Sequence, residues 1–162
     1  KTFTLMLEAI KLIPTTERPK IIIAGDGIRE NEVRELMLNA ADSDGIEAEV
    51  SGAFTPDQFQ ELVKQLDVMF AIYPPERGNI LQGALPVKMF DAAANGVPSV
   101  VNSGCLMGEI AETEEIGKAV EWNDAQAACD ALLELKNKTV ELTITSQREK
   151  EKFLSTVLPL ID

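Results

Sequence analysis

Residues 20–27, Lys20-Ile21-Ile22-Ile23-Ala24-Gly25-Asp26-Gly27, decide the fold. Three consecutive isoleucines read as a short strand buried on both faces. Gly25-Asp26-Gly27 closes it in a tight turn. A helical pattern follows to about Ala41, with Val33, Leu36, Met37 and Ala40 on one face. On the other side, Phe3, Met6, Leu7, Ile10 and Ile13 predict an amphipathic helix over 2–13, which Pro14 ends. Helix, strand, glycine turn, helix is the unit from which an α/β domain is built.

The same alternation continues outward. Asp42 to Gly45 is a loop, and Ile46 to Ser51 a strand. Thr55 is placed to cap a helix that starts at Pro56 and carries Phe59, Leu62, Val63 and Leu66. Val68 to Tyr73 is the next strand, and residues 74–86 form a long loop. Val87 to Asn95 is helical, with Gly96 just past its end, and Pro98 to Asn102 is a strand. A short helix at 107–111, a strand at 118–121 and a helix marked by Ala125, Ala128, Cys129, Leu132 and Leu133 complete the series. The polar tail carries a docking stripe of Phe153, Leu154, Val157 and Leu158. Strands that alternate with helices in this way predict a single Rossmann-like domain over 1–162, a doubly wound parallel sheet flanked by helices. Ligands of such folds sit at the carboxyl ends of the strands. Those ends are Gly25–Gly27, Gly52–Phe54, Tyr73–Pro86 and Asn102–Cys105.

Composition narrows the chemistry. The chain has 162 residues, 45% of them hydrophobic, with 15 Lys and Arg against 27 Asp and Glu, a net charge of −12. No apolar run approaches the roughly 20 residues of a membrane span, and no signal-peptide pattern opens the chain. So acidic a chain is a poor nucleic-acid binder and is repelled by anionic lipid. With no histidine, it holds no Ser-His-Asp or Cys-His machinery and no His-ligated metal. Its two cysteines, Cys105 and Cys129, match no zinc or disulfide framework and point to a reducing, cytoplasmic setting. The helical pattern starts at Lys1 itself, and the chain reads as a piece of a longer protein.

Several features have a chemical reading beside a plain one. Gly25-x-Gly27 ahead of a helix suits a phosphate, but Glu30 stands where a dinucleotide fingerprint needs its third glycine, and a tight turn explains the pair as well. Lys88 and Asp91 share a helical face beside the long loop, as ligands for a diphosphate and a ribose diol or as a surface ion pair. Cys105 lies in a glycine-rich turn without a base at hand, and Cys129 lies on an apolar stripe.

Lys88-Met89-Phe90-Asp91-Ala92-Ala93-Ala94-Asn95-Gly96-Val97-Pro98-Ser99-Val100-Val101 resembles the K-x-x-E-x-x-A-x-G-x-P-V-V signature of the retaining group 1 glycosyltransferases. Lys1–Ala9, Ile22–Gly27, Val50–Gly52, Leu66–Val68 and Glu109–Gly117 are similar, in order, to further stretches of that family. The resemblance implies one half of a GT-B enzyme, the C-terminal donor-binding domain. On this reading the domain's first strand and the N-terminal acceptor domain are missing, and the partners are a nucleoside-diphosphate sugar and that acceptor domain in cis. Without it the isolated domain is expected to be inactive. The resemblance also implies sugar transfer with retention and no metal, with leaving-group charge met by cations and helix N-termini.

Position by position, it assigns Lys1 to the donor diphosphate and Asp91 to the ribose hydroxyls. Gly25 and Gly27 form the family's I-x-G-x-G turn. Ala53 and Phe54 meet the nucleobase, and the backbone N–H groups of Ala84 and Leu85 face the diphosphate. Gly83 stands where the family has the first glutamate of its E-x7-E motif, as in subfamilies that keep only P-x-K-x-x-E, and Glu76 is a speculative catalytic substitute from the loop. Lys1, Lys88 and Arg77 are the candidate cations. An epimerase-like domain of the same fold, or a non-catalytic nucleotide-binding module, is the alternative.

Overall fold

A computed structural model describes residues 1–161. The elements run α1 (Thr2–Lys11), a 3-10 turn (Thr15–Glu17), β1 (Ile21–Ala24), α2 (Glu30–Asp44), β2 (Ala48–Ser51), α3 (Pro56–Val63) and β3 (Met69–Ala71). Then come α4 (Gly78–Leu81), α5 (Val87–Ala94), β4 (Ser99–Asn102), α6 (Leu106–Thr113), β5 (Gly117–Val120), α7 (Ala125–Leu135) and α8 (Ser146–Ile161). Helices and parallel strands alternate as the apolar spacing predicts. The expected loop at 74–86 differs by holding the single helical turn α4.

Punctuation by local chemistry is visible at the helix ends. Thr55 caps α3 in a full capping box with Gln58, and Pro56 occupies the first turn. Gly96, just past α5, takes φ +81°, a conformation that glycine adopts without strain. Asp124 caps α7 through a 2.8 Å bond from the Ala127 N–H.

All strand pairs are parallel, but they form two sheets rather than one. β1 pairs with β2, and β3, β4 and β5 pair in that order. β4 is the centre of the larger sheet and is buried along its whole length. Its side chains alternate between faces. Val100 packs with Leu5 and Ala9 of α1 and Ala128 and Leu135 of α7. Val101 packs the other way, with Met89 and Ala93 of α5 and Met107 and Ala111 of α6. A third cluster joins Met6 and Ile10 of α1 to Ile21 of β1 and Met37 and Ala40 of α2. Thus α1, α2 and α7 cover one side of the strands, and α5 and α6 the other. Cys129 and Cys105 are buried free thiols within these layers.

The stripe on α8 does not dock among the described residues: Phe153 is 62% and Leu158 49% exposed. The helix is tethered instead at its start. Arg148 makes a bidentate pair with Glu114 (2.6 and 2.7 Å), and the Thr143 hydroxyl donates to the same carboxylate at 2.7 Å. Arg148 first, then Thr143, holds the Glu114 carboxyl down to about 2. A folded-state value below the unfolded one gives a tether that is whole above about pH 4.5 and lost as pH falls toward 2. The protection of α8 amides relative to their intrinsic exchange rates is expected to fall over that window. Arg148→Ala should show low protection at every pH, and a protection profile of the native chain flat from pH 6 to about 2 would contradict the tether. No helix among the described residues is long and apolar enough to cross a membrane.

Candidate functional site

The carboxyl end of β3 is where charge collects. Asn102, at the end of β4 and 6% exposed, reaches sideways to the residues beyond β3. Its Oδ1 accepts the Tyr73 N–H at 2.8 Å and its Nδ2 donates to the Tyr73 carbonyl at 2.9 Å. The side-chain amide continues the β3–β4 ladder by one residue and fixes where Tyr73 leaves the sheet. Two cations flank the Tyr73 ring. Lys88 Nζ stands 4.9 Å and Arg77 Cζ 5.5 Å from its centroid.

Lys88 does not pair with Asp91, three residues along α5. From inside the first turn of α5 its stem runs inward, and its ammonium donates to the Phe70 carbonyl at 3.2 Å. Burial, and then the charge of Arg77, pushes this ammonium down to about 8. The tyrosine hydroxyl moves the other way, raised by its burial and partly offset by Arg77. Neither Arg77 nor Lys88 meets a carboxylate among the described residues.

A cleft of about 640 Å³ opens here, lined by Lys1, Thr2, Arg29, Tyr73, Arg77 and Lys88 among others. That volume is in the range of small-molecule sites, about 300–1,000 Å³. Lys1 pairs with Glu76 and Arg29 with Glu32, the latter at 2.5 Å. Lys1 holds the exposed Glu76 carboxyl below its ordinary range. Glu76 is therefore an ionised partner of Lys1 rather than an acid ready to give a proton.

The other anticipated positions do not line this cleft. Gly25, at φ +143°, and Gly27 have open space where a Cβ would stand. The helix beyond them begins only at Glu30, and Glu30 and Glu32 already answer the positive end of its dipole. Ala53 and Phe54 are exposed; the Phe54 ring tilts against Phe59 with centroids 5.9 Å apart. Gly83 has φ +90°, and a Cβ added there would stand 3.6 Å from a Leu106 methyl. The Ala84 N–H is taken by the Asn79 carbonyl at 2.9 Å, which leaves the Leu85 N–H as the free one of that pair. Asp91 is half-buried, and its carbonyl accepts from Asn95 at 2.8 Å.

Among the lining residues that the sequence did not single out, Tyr73 and Arg29 matter most. Tyr73, the chain's one tyrosine, stands at a strand's carboxyl end, and that position was the available signal. Arg29 follows the glycine turn by two residues, but nothing local says that it bends toward Lys1.

Parallel α/β domains place their ligand sites at the carboxyl edge of the strands, and in this chain that edge carries a cationic cleft. The family model for glycosyl transferases group 1 matches residues 1–138, and the chain belongs to that family. No curated protein matches the chain.

Proposed function

We propose that this chain is the C-terminal, donor-binding domain of a retaining GT-B glycosyltransferase, and that the cleft around Tyr73 holds the diphosphate of a nucleoside-diphosphate sugar. One observation carries this reading. In a chain of net charge −12, two cations without carboxylate partners among the described residues, Arg77 and Lys88, converge on one tyrosine at the strand ends. Lys1 and Arg29 stand by, each held by an exposed carboxylate that an incoming phosphate can displace. A departing nucleoside diphosphate needs such preorganised positive charge, and these side chains supply it without a metal. The acceptor and the rest of the cleft belong to an N-terminal domain in cis, so the isolated domain transfers no sugar. Its buried free thiols fit a reducing, cytoplasmic setting.

Titration with UDP, GDP, ADP and CMP, followed by amide shifts, tests the site. Selective binding of one diphosphate is expected with Kd roughly 0.1–1 mM, about 4–5.5 kcal/mol. Shifts should cluster at Tyr73, Arg77 and Arg29 and be lost in Lys88→Ala. No shift at about 5 mM of any of the four would sink the reading.

The pH dependence is a second check. Lys88 titrates near 8, so a bound anion, which favours the ammonium, makes binding take up a proton above that pH. Affinity should fall by up to about tenfold per pH unit above pH 8, and Lys88→Arg should flatten the profile.

Gly83 and the engagement of Glu76 by Lys1 favour one other reading, a nucleotide-binding module without catalysis. Sugar transfer by the chain joined to its acceptor domain decides between them.

A further inference from the structure

The cleft around Tyr73 holds cations of two kinds. Arg77 and Lys88 stand against the ring and meet no carboxylate among the described residues. Lys1 and Arg29 line the same cleft, but each already has a carboxylate, Glu76 on Lys1 and Glu32 on Arg29. Local structure presents both of these anions to the cleft. The Arg77 N–H donates to the Pro74 carbonyl at 3.0 Å and closes a tight turn over 74–77. Pro75 suits the second position of that turn, and Glu76 at the third stands next to Arg77. One turn therefore sends a guanidinium to Tyr73 and a carboxylate to Lys1. Glu32 lies in the first turn of α2 and accepts from Nε and Nη2 of Arg29 on one oxygen, at 2.8 and 2.5 Å.

Exposure decides how firmly these pairs hold. The four side chains are 67% and 62% exposed in the Lys1 pair and 75% and 61% in the Arg29 pair. A pair this wet shifts an equilibrium by only about two- to fivefold. It keeps the cation occupied at rest and yields to a phosphate, whose oxygens are strong charge-assisted acceptors.

The charges of the ligands then matter. In a nucleoside-diphosphate sugar each phosphate carries one negative charge, and Arg77 and Lys88 answer the two. Once the sugar is gone, the terminal phosphate of the free nucleoside diphosphate has a second ionisation at about pH 6. The added charge finds Arg77 and Lys88 already engaged and draws Lys1 from Glu76 or Arg29 from Glu32.

We infer that Glu76 and Glu32 are specificity-determining residues of this cleft, resident anions that hold Lys1 and Arg29 back from the sugar ester and yield them to the free nucleoside diphosphate. The inference rests on the diphosphate site proposed above. Its consequence is release of product: each carboxylate competes for its cation and weakens the hold on the free diphosphate by what its pair is worth.

Amide-shift titrations at about pH 7.5, where the added charge is present, compare UDP, GDP and ADP with the glucose ester of each. The chain is tested beside Glu76→Gln, Glu32→Gln and the double variant. Each single variant should tighten the free diphosphate about two- to fivefold and the double about tenfold, with the ester changed less than about twofold. Arg29→Gln should weaken the free diphosphate and spare the ester. Glu30→Gln is the control: it removes a charge two residues from Glu32 that pairs with Arg34, and neither Glu30 nor Arg34 lines the cleft. It should move neither ligand. Equal tightening of ester and free diphosphate overturns the inference, because Lys1 and Arg29 would then already serve the ester. So does an equal gain in Glu30→Gln, which would mean that only net charge is felt. Unchanged affinities in the double variant overturn it too, with the diphosphate site left standing. Absence of binding by all six compounds at about 5 mM removes that site and this inference together.

Discussion

Gly117→Ala lowers the melting temperature by roughly 6–12 °C, the expected result of about 3 kcal/mol of overpacking in a domain of this size. Gly117 opens β5 and pairs with Ser99 of β4. A Cβ there would stand 2.2 Å from the Ser99 carbonyl oxygen and 3.1 Å from its carbon. Those neighbours are backbone atoms of the most buried strand, so no rotamer change relieves the contact. Only separating β4 from β5 does, and that opens the packing of Val100 and Val101 on both faces. Gly27→Ala is the control, since nothing lies within 4 Å of the added methyl. Thermal melts by circular dichroism check both. A Gly117→Ala melting temperature within about 2 °C of the parent would mean that the two strands approach less closely than described.

Asn102→Leu should destabilise the chain by about 2–4 kcal/mol and remove nucleotide binding with it. Leucine keeps asparagine's branching at Cγ but is bulkier and offers no polar atom. The Tyr73 N–H and carbonyl, now satisfied at 2.8 and 2.9 Å, are left without partners, at about 1–3 kcal/mol for each buried group. The functional loss follows from the same bonds, because they hold the backbone that carries the ring between Lys88 and Arg77. Asn102→Asp separates the two effects. An ionised carboxylate still accepts the Tyr73 N–H but opposes the Tyr73 carbonyl. The protonated acid restores the donor, so the folded state raises this carboxyl above its unfolded value. Stability relative to the parent should therefore improve as pH falls from 7 to about 4. Urea melts at the two pH values measure it, and a deficit that does not shrink at low pH would show that the amide donor is unimportant.

Much of the scaffold was legible because its determinants are neighbours in the chain. The isoleucine run of β1, the 3.6-residue spacing of α1 and α2, the Thr55-Pro56 helix start and the Gly96 stop all act over a few residues. The structure reproduces them within a residue or two, except that α2 runs on through Asp44, over most of the loop expected at 42–45, and stops at the left-handed Gly45. The family, too, was legible, since its signature is a contiguous stretch from Lys88 to Val101 that forms one helix, one turn and one strand. Where sequence reading went astray, the cause was a partner far along the chain. Lys88 and Asp91 do share a helix, but the orphan carbonyl of Phe70, 18 residues back, claims the ammonium instead. Glu76 was a free carboxylate until folding brought Lys1 to it across 75 residues. The division of the strands into two sheets was equally hidden, because strand identity is local and strand adjacency is not.

The sequence by itself determined which segments are strands and helices, the parallel α/β class, the anionic surface, the chemistry excluded by a lack of histidine, and the family. Those properties depend on composition and on periodicity over a turn or two. Tertiary structure alone decided that Asn102 extends the β3 ladder, that Arg77 and Lys88 flank Tyr73 with Arg29 lining the same cleft, and that β1 and β3 leave an apolar cleft between them. Each of these depends on which backbone group lacks a partner once the strands are ordered, and a one-dimensional pattern carries no record of that order.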